Sequence, residues 1–228
     1  MREAPRHGAG PAATPAGTWS LMAGAARWIL GHRFFLVLIL SAVCFDSFIR
    51  LFLTVGSSYY RLIAIPEAAF GLIGTGFALL GFATPPLAGW LVRHRTPTAN
   101  LALIALLALV GLAGLGAVWK GWGLVFVVPL ALAFFLQSFL LSHHLNRGVD
   151  SSMRATVLSF RGLAMNVAYG AAGLVFSALV ALEHRRQPAA GPDGAFAEAL
   201  GWLAPLFVLA LLPLAWHWRR LQEPAPAG

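Results

Sequence analysis

Asp46 and Arg50 lie four residues apart in the stretch CFDSFIR, which is preceded by RFFLVLILSAV and followed by LFLTVG. On a helix this spacing brings a carboxylate and a guanidinium within reach of each other. In an apolar segment an isolated ion costs on the order of 3 kcal/mol on insertion scales, and pairing removes much of that cost. Two chemistries are open to such a pair. It is either a self-neutralised strut that holds its helix against a bundle interior, or part of a polar cavity. In the cavity Asp46 carries a proton or Arg50 meets a substrate anion. At about 100° per residue, Ser47, Arg50, Thr54, Ser57 and Ser58 all fall within about 120° of Asp46. Phe45, Phe48, Ile49, Phe52 and Val55 occupy the opposite arc. The segment is amphipathic inside an apolar run, and its polar strip needs something polar to face.

Other polar groups recur in apolar surroundings. Gln137, Ser138 and Ser142 share an arc of about 140° and are followed by His143-His144. Adjacent histidines on a helix point in different directions, which disfavours a shared metal site and favours interfacial positions. Around Asn166, the residues Ser159, Gly162, Gly170, Gly173 and Ser177 form a stripe within about 40° on either side. Small residues let helix backbones approach closely in lipid, so the glycines are read as a packing face. The Asn166 amide is left with either a neighbouring helix or a substrate to bond. Arg161 falls on another face, one turn or more inside its segment, from where it can snorkel to the cytoplasmic interface. Metalloprotease, serine-hydrolase and phosphate-loop signatures (H-E-x-x-H, G-x-S-x-G, G-x-x-x-x-G-K-[ST]) are absent from the sequence, which removes an ATP-driven pump made of this chain alone. The lone Cys44 excludes an intramolecular disulfide and a cysteine metal cluster. No cofactor or metal is expected, and the chain is not read as an enzyme.

The elements that must position these residues are set by composition. Of 228 residues, 59% are hydrophobic and 11% charged, against roughly a quarter charged in soluble domains. Six stretches, 34–55, 69–92, 98–119, 122–145, 155–182 and 200–218, approach or exceed the roughly 20 apolar residues needed to cross a bilayer. They are continuously apolar, unlike the alternating strands of a membrane β-barrel. The expected fold is an all-α integral membrane protein with six transmembrane helices.

The net charge of +8 is distributed by side. Arg2, Arg6, Arg27, Arg33, Arg93, Arg95, Arg147, Arg154, Arg219 and Arg220 fall at one end of the helices. Arg61, Lys120, Arg185 and Arg186 fall at the other, diluted by Glu67, Glu183, Asp193 and Glu198. The positive-inside rule then puts both termini in the cytoplasm and the chain in the cell (inner) membrane. Nucleic acid is not a partner on this distribution. Residues 1–27 are read as a linker, disordered over its first 18 residues, with a short interfacial helix or plain flank at 19–31. Residues 28–222 form the membrane domain and 223–228 a tail. The first 20 residues hold no apolar signal-peptide core. Glycines in the second and third spans are read as packing faces, Pro85-Pro86 as a bend, and 185–197 as an external connection.

The run LNRGVDSSMRATVLSFRGLAMNVAYGAAGLVFSAL, residues 145–179, resembles the connection between the tenth and eleventh helices of major facilitator superfamily transporters. In that family a cytoplasmic R-A-T-x-L-S segment commonly enters the eleventh helix, as Arg154-Ala155-Thr156-Val157-Leu158-Ser159 does here. The first span, closing on Tyr59-Tyr60, is similar to the family's seventh helix. GFALLGFATPPLAGWLVRHRT is similar to its eighth helix and the basic loop after it. The loop motif G-x-x-x-D-R-x-G-R is kept only in part, with Arg93 where the Asp belongs. The resemblance covers about residues 28–222 and implies the C-terminal six-helix half of a secondary transporter, itself two three-helix repeats of inverted topology. It implies alternating access around a central site. Asp46, Arg50, Thr54, Gln137 and Asn166 are then the candidates for the substrate or proton path, and Arg93, Arg95 and Arg154 for the cytoplasmic gate. The partners implied are the lipid bilayer, a small-molecule substrate, protons, and a second six-helix half or a homodimer. A fragment, a split subunit and a homodimer all account for the length. The competing expectation is a non-transporting six-helix scaffold or accessory subunit.

Overall fold

The computed structural model describes residues 15–219 and 221. The expectations placed on 1–14, on Arg220 and on the tail lie outside the described residues. The described residues form eight α-helices in succession: α1 (Pro15–Gly31), α2 (Arg33–Leu62), α3 (Phe70–His94), α4 (Pro97–Gly116), α5 (Val127–Gly148), α6 (Ser151–Arg186), α7 (Gly191–Gly201) and α8 (Leu203–Trp218). Short 3-10 turns precede α3, α5 and α7, and the described residues contain no strand. Among the described residues six stretches are long and apolar enough to cross a membrane: α2, α3, α4, α5, α6, and α7 with α8 taken together. The 30 residues of α2 reach about 45 Å at 1.5 Å per residue, and the 20 of α4 about 30 Å.

α2 is the central element. It packs against α5 and α6, and also meets α1, α4 and α8. Phe35, Leu38, Phe45, Ile49, Phe52 and Tyr59 form its inward face and are almost wholly buried. In a bilayer, whose tails are as apolar as these side chains, van der Waals fit rather than exclusion of water would hold such a bundle together. α4 closes the core against α5, α7 and α8. By contrast α3 and α6 are peripheral: α3 lies mainly on α5, and α6 on α1, α2 and α7. Leu72, Leu79, Phe82 and Trp90 on α3, and Val167, Leu174 and Val175 on α6, are exposed.

Two sequence expectations change here. Residues 185–197, read as an external connection, are mostly helical. α6 runs to Arg186, and after the turn at Pro188–Ala190 α7 begins at Gly191. Pro192 sits in the first turn of α7, where its missing N–H costs nothing, and Ala195, Ala199 and Leu200 give the helix a buried face. The turn itself needs only Gly191, whose φ is +67°. The sixth span therefore starts earlier than expected and is interrupted at Trp202 between α7 and α8. Residues 15–18, counted in the disordered lead, are the first turn of α1, and Pro15 opens it. α1 is docked rather than free, with Ala25 and Ile29 buried and Trp28 stacked on His32 at 4.2 Å. α3 continues as one helix through Pro85 and Pro86.

The glycines divide by helix. In α4 they pack: a methyl group on Gly114 would collide with Phe126, and one on Gly116 would come within 2.9 Å of the Gly201 backbone. In α3 only Gly81 meets another helix, through Phe135. Gly71, Gly74 and Gly76 of α3, and Gly162, Gly170 and Gly173 of α6, have open space where a side chain would be. The glycines of the α6 stripe thus leave open space among the described residues, although Asn166 between them reaches α2.

Candidate functional site

Midway along α2, Asp46 is buried at 2% exposure. Its Oδ2 lies 2.6 Å from Arg50 Nη2, so the i,i+4 pair forms as its spacing requires. Arg50 reaches past the pair, and its Nη1 donates to Asn166 Oδ1 on α6 at 2.7 Å. From α5, Gln137 Nε2 donates to Asp46 Oδ1 at a long 3.5 Å. Thr54, one turn beyond Arg50, donates to the Arg50 carbonyl and lies 2.7 Å from the Tyr169 hydroxyl. The Tyr169 ring sits under the Arg50 guanidinium, 5.4 Å from centroid to Cζ, where its negative face attracts the cation.

One network thus joins three helices. All five residues expected on the substrate path, Asp46, Arg50, Thr54, Gln137 and Asn166, belong to it. The helices deliver them because α2 packs against both α5 and α6. Ser47 is the exception on the polar strip: it is buried and donates back to Val43 O at 2.7 Å. Ser57 and Ser58 are exposed beside Thr54.

Two members were not found from the sequence. Tyr169 follows Asn166 by three residues and so lies about 60° from it. A reading of that face for small residues passes over it. Arg161 was expected to snorkel outward, but it turns inward. Its Nη1 donates to Ser142 Oγ on α5 at 3.5 Å, it lies within electrostatic reach of Asp46, and its Nε is buried with no hydrogen-bond partner. The opposite face of α6 carries Asn166, so no wheel drawn on that amide would include Arg161.

The network is closed on one side and open on the other. Asp46 and Gln137 are buried, and Gln137 Oε1 is left without a donor. The Arg50 side chain is 31% exposed, and Asn166 and Thr54 are exposed. The polar groups therefore emerge on the surface that also carries the bare α6 glycines.

The expected gate residues are not part of this cluster. Arg93 and Arg95 are exposed at the end of α3. Arg154 Nη2 donates to Val149 O at 3.3 Å, which fastens the turn between α5 and α6. His143 stacks on Phe139 and His144 meets Phe34 edge-on, with the two imidazoles at 87° to each other. Among the described residues no group of three His, Cys, Asp or Glu side chains is placed to hold a metal. Compared with family models, with curated proteins and with solved structures, the chain matches none.

Proposed function

We propose that the chain is one half of a secondary transporter of the major facilitator type, moving a small molecule by alternating access around the Asp46–Arg50 network. The observation that carries this reading is the open edge of that network. Within apolar spans Arg50 is partly exposed and Asn166 and Thr54 are exposed. Lipid offers them no hydrogen bonds, so polar groups at this depth face a water-filled path or a partner bundle. α3 and α6, the most exposed of the spans, frame the side on which that partner sits.

The packing pattern supports the division into two inverted three-helix repeats. Exchange α2 with α5, α3 with α6, and α4 with the α7–α8 pair. The contact of α3 with α5 then becomes that of α6 with α2, and the contact of α4 with α5 becomes that of α8 with α2. These two pairings have counterparts, and an odd number of spans per repeat inverts the second one. Arg27, Arg33, Arg93, Arg95, Arg147, Arg154 and Arg219 gather at one end of the helices, which supports cytoplasmic termini in an inner membrane.

The competing scaffold reading draws on the pair itself, which is short, buried on one side and self-neutralising. Reconstitution separates the two. The chain, alone and with any co-encoded six-helix bundle, is placed in proteoliposomes with an imposed proton gradient. Uptake that Asp46→Asn abolishes is the expected result. Absence of flux in every combination, or full uptake in that variant, overturns the proposal.

A further inference from the structure

A groove of about 520 Å³ runs along the seam where α3 meets α5, walled by side chains that include Ile73, Phe77 and Val128. It starts at Ile65 and Pro66, in the turn before α3, and follows α3 from Ala69 to Leu80, about 16 Å at the helical rise. Spread over that length, its volume leaves a cross-section of about 30 Å². A helix with its side chains is about 10–12 Å across and needs about three times that area. A single hydrocarbon chain is slim enough to enter. Among the described residues no polar side chain lines the groove, which excludes a polar solute. In a bilayer it does not stay empty, because a void forfeits dispersion contacts along its whole lining. The mouth of the groove carries a pinned cation. The turn that holds Lys120 is tied to the turn before α3, where the Gly121 N–H donates to the Ile63 carbonyl at 2.9 Å. Gly121 sits at a φ of +75°, and a methyl group on Gly123 would collide with Tyr59, so this turn has little freedom. Lys120 is exposed and has no ion-pair partner among the described residues, whereas Arg61, at the end of α2, is paired with Glu67. Trp119 and Trp122 flank Lys120 and are exposed, as indole rings are at headgroup depth.

We infer that this groove seats one acyl chain of an anionic phospholipid, with the phosphate at Lys120. The chain supplies the apolar contacts that the lining lacks, and the headgroup supplies the negative charge that Lys120 lacks. Gly76, within the groove, has open space where a side chain would be, and this notch keeps the channel passable. The groove shares no residue with the Asp46–Arg50 network. The assignment rests on α3 and α5 lying in the bilayer and not on transport.

The test is photolabelling of the purified full-length chain in detergent micelles by phosphatidylglycerol that carries a diazirine on one acyl chain. Digestion and mass spectrometry then locate the adducts. They are expected to favour Ile73, Phe77 and Val128 at least tenfold over Val167 and Leu174 of α6, which are also exposed. Unlabelled phosphatidylglycerol is expected to compete at least tenfold better than phosphatidylcholine. Gly76→Leu fills the notch without meeting a neighbour. It is expected to cut the groove adducts at least tenfold while the unfolding midpoint in lipid-free detergent stays unchanged. Lys120→Gln is expected to keep the adducts and erase the preference for phosphatidylglycerol. Should Gly76→Leu fail to fold, the competition and Lys120→Gln decide alone. The inference is overturned by adducts spread evenly over α3, α5 and α6, or by full labelling of a folded Gly76→Leu chain. Equal competition by phosphatidylcholine, or a preference that survives Lys120→Gln, overturns it as well. So does Val128→Cys, carrying a photoactivatable maleimide, if it couples to a second polypeptide in native membranes, since protein then covers the groove. A chain that binds the lipid yet moves no solute in liposomes sinks the transport reading and leaves this one standing.

Discussion

Asp46 and Arg50 are held differently, and the difference decides what each substitution does. Asp46 is almost fully enclosed, whereas Arg50 keeps a hydrogen bond to Asn166 and an open flank. Removing one partner of a buried pair leaves an uncompensated ion, and replacing both with apolar groups of similar volume is often neutral. Asp46→Leu is therefore expected to destabilise the chain by about 3 kcal/mol, and Asp46→Leu with Arg50→Met to recover most of that loss. Reversible unfolding in mixed micelles measures both. Recovery of stability without recovery of uptake marks the pair as functional. Recovery of everything marks it as a strut. The pair was legible in the sequence because i,i+4 spacing is a local property of one helix. So was the polar strip around Thr54. The partners of the pair were legible only as isolated polar residues, because the contact of Gln137 and Asn166 with α2 depends on how three helices dock. Arg161 was misread for the same reason: a long side chain near a helix start reaches either the interface or the interior, and only the position of Ser142 on α5 selects the second.

At the scale of elements, periodicity shows which residues share a face but not what covers it. The α4 and α6 glycines look alike in sequence, yet Gly114 and Gly116 touch Phe126 and Gly201 while Gly170 and Gly173 touch nothing. The reading of 185–197 as a loop failed for a related reason. Pro and Gly mark the start of a helix as well as a turn, and the buried face of α7 exists only because α4 and α6 lie beneath it. The glycine contrast gives a paired prediction. Gly116→Leu forces α4 away from α7 and is expected to cost about 1–3 kcal/mol, as overpacking usually does. Gly173→Leu meets open space and is expected to change the stability of the isolated chain by no more than about 0.5 kcal/mol. If the α6 stripe receives a partner bundle, Gly173→Leu nonetheless abolishes association, read as loss of the higher-mass species in crosslinked membranes. A stable, fully assembling Gly173→Leu chain means the stripe faces only lipid.

For the molecule as a whole, the six long apolar stretches of the described residues, taken as membrane spans, fix the relative sides of every loop between them once one is known. The turn at Arg95 and the turn between α5 and α6 then share a side with the start of α2, and Lys120 lies on the other. Composition and hydropathy were enough to find the six long apolar stretches, because the length that crosses a bilayer is set by its thickness and not by tertiary contacts. Which side is cytoplasmic rests on charge alone. The basic residues near Arg95, Arg147 and Arg154 stand against an opposite end where Arg61 is paired with Glu67 at 2.7 Å and Arg186 with Glu183 at 3.2 Å. The lone Cys44 lies within α2 and can be removed as Cys44→Ala, leaving a background for single cysteines. In that background Arg95→Cys and Lys120→Cys place thiols at exposed positions on opposite sides. A membrane-impermeant maleimide added to intact cells is expected to label Lys120→Cys and to label Arg95→Cys only after the membrane is opened. The reverse pattern inverts the topology and moves Arg93, Arg95 and Arg154 off the cytoplasmic side. Equal labelling of both in intact cells breaks the six-span arrangement itself, because two thiols separated by α4 and the turn after it cannot share a face unless α4 fails to cross.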